Sequence, residues 1–292
     1  MVQFDGTRRW CAMASVIGGL AAAGVMIAAS MTATSGAAAC GATTNCTIDG
    51  GAAGERHYRI RMPRNHDGRQ PVAALIYAHG YTGSARNAMR SSGFAALASE
   101  LGVALVATKS ASAGWTIPGS PHRARVKADE LAYYDRVLDD MIRRFPIDPN
   151  RIVATGFSEG GMMVWNLACH RSERFRAFIP VAGTFWQPAP ETCTTPPANI
   201  IHIHGTRDPT VPLAGRQIRR FRQGDVRRVL ENYADFGGYR AAKPVTTKTL
   251  SCSKSRNGKG TLLALCLFDG GHTFKPSFIG DAWQMLVAAG RL

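Results

Sequence analysis

The sequence predicts an α/β fold, a mostly parallel sheet with helices on both faces. Three observations carry this. Residues 72–78, 103–108, 152–155 and 262–268 are largely apolar runs, the pattern of buried strands, and 175–181 and 199–204, the latter with His202 and His204 alternating with apolar residues, read as further strands. Helix-like stretches fall between most of these runs, at 84–101, 124–145, after Gly161, and at 216–236. Glycine or turn-forming polar residues close the runs. At 292 residues the chain has room for one large α/β domain or two small ones. It is 45% hydrophobic and 19% charged, an ordinary globular balance.

Taken in order, the chain opens with Arg8-Arg9, an Ala/Gly-rich apolar run over 12–31, and small residues up to Ala39. This reads as a secretory signal peptide over residues 1–39, cleaved between about 30 and 40, with no transmembrane anchor afterwards. Export could use a general or a twin-arginine route. Residues 40–292 are then expected to form a single catalytic domain, secreted or periplasmic. Loss of Cys11 leaves Cys40, Cys46, Cys169, Cys193, Cys252 and Cys266. An even number in an exported chain points to disulfides, and proximity in sequence pairs them as neighbours.

Residues 40–54 read as a small polar loop, and 57–63 alternate as a half-exposed strand. The buried run 72–78 ends in His79-Gly80-Tyr81. After the run 103–108 comes a loop with Trp115 and Pro118, then a long helix over 124–145. The run 199–204 closes on Gly205, and 216–236 reads as a polar helix. Residues 245–252 and 262–268 form a hairpin around Asn257-Gly258-Lys259-Gly260, and 282–289 is a terminal helix.

The chemistry centres on Gly156-Phe157-Ser158-Glu159-Gly160, between a β-branched run and a helix-like one. A serine at the tip of so tight a strand-to-helix turn sits in strained backbone, and both flanking positions must be nearly bare. Serine at neutral pH needs a base, and the base needs an orienting carboxylate. Asp208 follows the run 199–204, and His272 follows the run 262–268 as the only histidine beyond Asp208. These three are the candidate catalytic residues, and the backbone N–H groups of Tyr81 and Glu159 are the candidate oxyanion donors. His79, His202 and His204 read as structural, and Asp269 as a turn residue. No cysteine pair has zinc spacing, so no metal or cofactor is expected. The net charge of +15 reads as a solvated exterior, because the basic residues are scattered and no nucleic-acid motif accompanies them. Docking on an acidic polymer or lipid remains open.

The segments Gly156-Phe157-Ser158-Glu159-Gly160-Gly161, His204-Gly205-Thr206-Arg207-Asp208-Pro209-Thr210-Val211-Pro212 and Gly270-Gly271-His272-Thr273-Phe274 resemble the secreted esterases grouped as polyhydroxybutyrate depolymerases and feruloyl esterases. The resemblance runs from about Arg56 to Phe274. It implies an α/β-hydrolase fold with Ser158, Asp208 and His272 as triad, and a serine carboxylesterase acting through an acyl-enzyme. Trp115, Trp186 and Phe274 lie on loops at one end of the predicted sheet and are the candidate substrate-binding residues. Such a cleft suits an ester substrate, polymeric or oligomeric, with an apolar or aromatic portion. Hydroxyalkanoate oligomers and feruloyl or hydroxycinnamoyl esters are examples. A carboxylesterase/lysophospholipase-like enzyme, an acetylxylan esterase, a serine peptidase and a non-catalytic secreted binding protein are the competing readings.

Overall fold

The computed structural model describes residues 40–247 and 249–292; the signal peptide expected over residues 1–39 lies outside the described residues. The strands are β1 (Cys46–Asp49), β2 (Glu55–Arg61), β3 (Val72–Ala78), β4 (Ala104–Thr108), β5 (Ile147–Phe157), β6 (Ala177–Val181), β7 (Ile200–Gly205), β8 (Arg216–Ile218), β9 (Phe221–Gln223), β10 (Arg240–Thr246), β11 (Ser251–Arg256) and β12 (Leu262–Phe268). The helices are α1 (Ala85–Arg90), α2 (Ser92–Leu101), α3 (Glu130–Arg144), α4 (Glu159–His170), α5 (Val226–Gly237) and α6 (Pro276–Ala288).

Ten strands make one sheet in the order β1-β2-β4-β3-β5-β6-β7-β12-β11-β10. From β4 to β12 the pairs are parallel. The outer pairs on both sides are antiparallel. The parallel strands are mostly apolar runs, β7 with its two histidines being the exception, and both their faces are covered. On β3, Ala74, Ile76 and Ala78 face α3, α4 and α5. Ala73, Leu75 and Tyr77 face α1, α2 and α6. Strand β3 has β4 on one side and β5 on the other, so the chain reverses its winding there. That switch opens a crevice beyond the C-terminal ends of β3 and β5. His79-Gly80-Tyr81 and Ser158 begin at those ends.

Several local expectations need correction. The helix expected over 84–101 is two helices. Ser91 is extended (φ −70°, ψ 115°), and its hydroxyl accepts the Phe94 N–H to cap α2. The helix expected from residue 124 starts at Glu130, where Asp129 accepts the Ala132 N–H. The stretch 216–236 is helical only in its second half. Arg219 at φ 53° turns a short hairpin of β8 and β9, and Asp225 then caps α5. Residues 40–54 are more than a loop, since β1 pairs with β2. The hairpin of β11 and β12 turns at Asn257 as expected, but its first strand begins at Ser251, and 240–246 form the separate edge strand β10.

The cysteines pair as neighbours: Cys40–Cys46, Cys169–Cys193 and Cys252–Cys266. Cys252 and Cys266 oppose each other across β11 and β12, so the third bridge clamps the strand that leads to His272. No helix among the described residues is long and apolar enough to cross a membrane.

Candidate active site

Ser158 follows β5 and is the N-cap of α4, with φ 58° and ψ −120°, a conformation that L residues rarely adopt. Its N–H donates to the Val181 carbonyl at 2.9 Å. The neighbouring glycines have no room for a side chain. A Cβ on Gly156 would lie 2.4 Å from the Gly160 carbonyl oxygen, and one on Gly160 would lie 1.9 Å from the Ala78 carbonyl oxygen. The turn is therefore bare for the reason its sequence pattern implies, and α4 aims its N-terminus at Ser158.

Asp208 follows β7 and is 5% exposed. Its Oδ1 accepts the Thr210 and Val211 N–H groups at 2.8 and 2.9 Å. Its Oδ2 lies 2.7 Å from His272 Nδ1. Burial pushes its carboxyl up, but the His272 hydrogen bond and the two backbone donors outweigh that and hold it below the ordinary range. An Nδ1–H on His272 leaves Nε2 as the basic nitrogen. The structure brings Ser158 and His272 to the border of one cavity of about 580 Å³ without a hydrogen bond between them among the described contacts. Such contacts often close only with substrate bound. Asp269 is exposed and pairs with Arg207 at 2.6 Å.

Behind Asp208 runs a buried line of donors. The Trp165 indole N–H donates to His202 Nδ1 at 3.1 Å, which fixes the proton of His202 on Nε2. That N–H faces His204 Nδ1 at 2.9 Å, so His204 Nε2 carries hydrogen and donates to the Val211 carbonyl at 2.8 Å. The same nitrogen lies 3.5 Å from Asp208 Oδ2. Burial pushes both imidazoles down, so they are neutral, and the structural reading of His202 and His204 holds.

The loop after β3 carries the candidate oxyanion donor Tyr81, 59% exposed. Among the described residues neither the Tyr81 N–H nor the Glu159 N–H makes a hydrogen bond to a protein acceptor. His79 shapes this loop. Its Nδ1 bonds to the Gly80 carbonyl at 2.7 Å, its Nε2 accepts the Ser110 N–H at 3.2 Å, and burial pushes it down to about 4.

Trp115, expected in the cleft, is not there. It is 1% exposed, and its indole N–H donates to the His79 carbonyl at 2.8 Å. It packs behind the loop because the apolar layer under α3 takes the ring and its N–H finds a backbone acceptor inside. Phe274 does line the cavity that Ser158 borders, with Tyr77, Phe94 and Phe157. Trp186 is mostly buried but borders a second cavity of about 480 Å³, which also meets Ser158. Sequence reasoning missed His122, which lines that second cavity and lies 3.2 Å from Glu159 Oε1. No periodicity or motif marks it.

Burial pushes the Glu159 carboxyl up to about 7 against the Trp115 backbone hydrogen bond, and burial also pushes His122 down. Both shifts favour the neutral forms, so the contact is a carboxyl–imidazole hydrogen bond and not an ion pair. A carboxyl raised from 4.5 to about 7 holds its proton more tightly in the folded state. The stability this confers is full below 4.5 and is lost as pH rises towards 7. Glu159→Gln, which keeps one acceptor and one donor, is expected to remove that loss, worth roughly 2 kcal/mol. Unfolding free energies at about pH 5 and pH 8 would check it; parallel pH profiles for both chains would contradict it.

The chain is similar to several proteins named as esterases. A family model described as Phospholipase/Carboxylesterase matches residues 120–222. NocK of Nocardia uniformis subsp. tsuyamanensis, a protein named as an esterase, is 34% identical over 165 residues, 55% of this chain. That match spans 47% of NocK, less than half of its length. Feruloyl esterase C of Emericella nidulans is 23% identical over 248 residues, covering 80% of this chain and 84% of its own. Among solved structures, the acetyl xylan esterase of Aspergillus awamori superposes with a TM-score of 0.57 at 16% identity, covering 85% of this chain and all of that one. The sheet topology and the likeness to solved structures across most of the chain show the α/β-hydrolase fold, and the chain is similar to proteins named as esterases, feruloyl esterases among them.

Proposed function

We propose that the chain is an exported serine carboxylesterase acting on esters with an apolar or aromatic portion. The observation that carries the reading is the 2.7 Å contact between His272 Nδ1 and Asp208 Oδ2, with His272 and the strained Ser158 on one cavity. Ser158 Oγ attacks the ester carbonyl while His272 Nε2 takes its proton. The tetrahedral oxyanion accepts the Tyr81 and Glu159 N–H groups. As the C–O bond breaks, His272 returns the proton to the leaving alcohol. Water, deprotonated by His272, then releases the acid and Ser158. Asp208 orients His272 and stabilises its cation. Three disulfides favour an oxidising compartment, which supports export.

The aromatic wall supports the substrate class. Phe274 lies 5.1 Å from Phe94, 5.6 Å from Tyr77 and 5.7 Å from Phe157, ring centroid to centroid. Flat apolar rings bind an apolar or aromatic portion, as in hydroxycinnamate esters or hydroxyalkanoate oligomers. Phe274→Ala is expected to cost roughly 1–3 kcal/mol in kcat/KM on methyl ferulate and much less on a small acetate ester. A panel of both, with hydroxybutyrate oligomers and acetylated xylan, would test it. Equal losses on large and small esters would refute the aromatic subsite.

A further inference from the structure

Ser158 sits where two cavities of opposite character meet. One carries the aromatic wall. The other, about 480 Å³, is bordered by Arg125, Arg216 and Arg219. These arginines come from separate segments, the loop before α3 and the β8–β9 hairpin. Arg216 is held in place: its Nε donates to Gln223 Oε1 at 3.2 Å and a terminal nitrogen donates to the Pro209 carbonyl at 3.3 Å. Gln223 is 4% exposed, so the wall behind Arg216 is fixed. Among the described residues the guanidinium groups of Arg125 and Arg219 make no hydrogen bond or ion pair with the protein.

Arg125, Arg216 and Arg219 are exposed and border one cavity, and their shared positive charge there attracts an anion. Glu159 is the only carboxyl on the lining, and its hydrogen bond to His122 and its burial favour the neutral acid over a counter-charge.

We propose that this cavity is an anion subsite that binds a carboxylate carried by the ester substrate while Ser158 attacks the ester bond. The proposal rests on the assignment of Ser158 as nucleophile. The carboxylate is not consumed: water adds across the acyl C–O bond, giving an acid and an alcohol, one of which keeps the extra carboxylate. One source is a carboxylate on the acyl portion, as in the monoester of a dicarboxylic acid. A carboxylate on the alcohol portion, as in an ester of a hydroxy acid, is the other source of the same chemistry.

Matched substrates test this. One arm compares the phenethyl monoester of glutaric acid with the same ester bearing a carboxamide for the free acid. The other compares the phenylpropanoyl ester of hydroxybutyrate with that of hydroxybutyramide. Wild type is expected to prefer the acid over the amide by about fivefold or more in kcat/KM in one arm, and salt should erode the preference. In the double variant Arg125→Gln/Arg219→Gln that ratio should fall to near one, whatever the absolute rates. The responding arm identifies the side that carries the carboxylate. No preference in either arm, or a preference that the variant keeps, overturns the subsite. Turnover of the neutral amides shows that the esterase reading stands when the subsite fails; no turnover of any ester is failure of that reading. Glutarate binding by calorimetry gives the same comparison without turnover, with affinity expected to fall about fivefold in the variant and an unchanged affinity counting against the subsite.

Discussion

Ser158→Ala is expected to lower ester turnover by roughly 10⁶-fold while the chain stays folded. The size follows from what the side chain does. Without Oγ no acyl-enzyme forms, and His272 has no proton to accept from the nucleophile. The oxyanion donors and the cavities remain, so a residual rate of roughly 10³–10⁴ over water is expected. Alanine removes one oxygen and leaves Gly156, Gly160 and the Val181 contact of the backbone N–H unchanged, so the elbow is retained. Steady-state kinetics on an activated ester, with the melting temperature as the control for folding, would measure it. A folded variant within tenfold of wild type would remove Ser158 from the chemistry.

Asp208→Asn is expected to cost roughly 10⁴-fold in kcat, through the position of one proton. Asp208 Oδ1 holds the Thr210 and Val211 N–H groups, and Oδ2 faces His272 Nδ1. An asparagine has one oxygen for these two duties. If the oxygen stays with the two backbone donors, the amide NH₂ faces His272 and requires Nδ1 to accept. The proton then moves to Nε2, the nitrogen that must take the Ser158 proton. If the amide flips, two backbone donors lose their acceptor and stability falls instead. The first arrangement gives a folded, inactive chain with an unchanged melting temperature. Kinetics and melting on the same preparation distinguish the two. A folded variant with near wild-type kcat would show that Asp208 does not orient His272.

Much of this site is legible before any coordinates, and the reason is topological. Parallel strands buried on both faces read as largely apolar runs, and each candidate triad residue follows such a run by a few positions: Ser158 after β5, Asp208 after β7, His272 after β12. Gly156 and Gly160 are readable because contacts of 2.4 and 1.9 Å exclude any side chain. The misses have equally physical causes. A tryptophan on a loop near the site can line a cleft or lie beneath the loop; Trp115 lies beneath because the His79 carbonyl accepts its N–H there. The β8–β9 hairpin has three residues per strand and turns on a positive-φ arginine, so it carries neither alternation nor a glycine to mark it. His122 and Arg125 on the loop before α3 meet Arg219 of the distant β8–β9 hairpin, and no local pattern reports such convergence.

The central claim is that Ser158 is the nucleophile and is activated by His272 and Asp208. Labelling with a fluorophosphonate, followed by peptide mass mapping, tests it most directly. One adduct per chain is expected, on the peptide containing Ser158, absent from Ser158→Ala and formed far more slowly in Asp208→Asn. An adduct on any other serine, or ester hydrolysis by a chain that takes no label, would contradict the account.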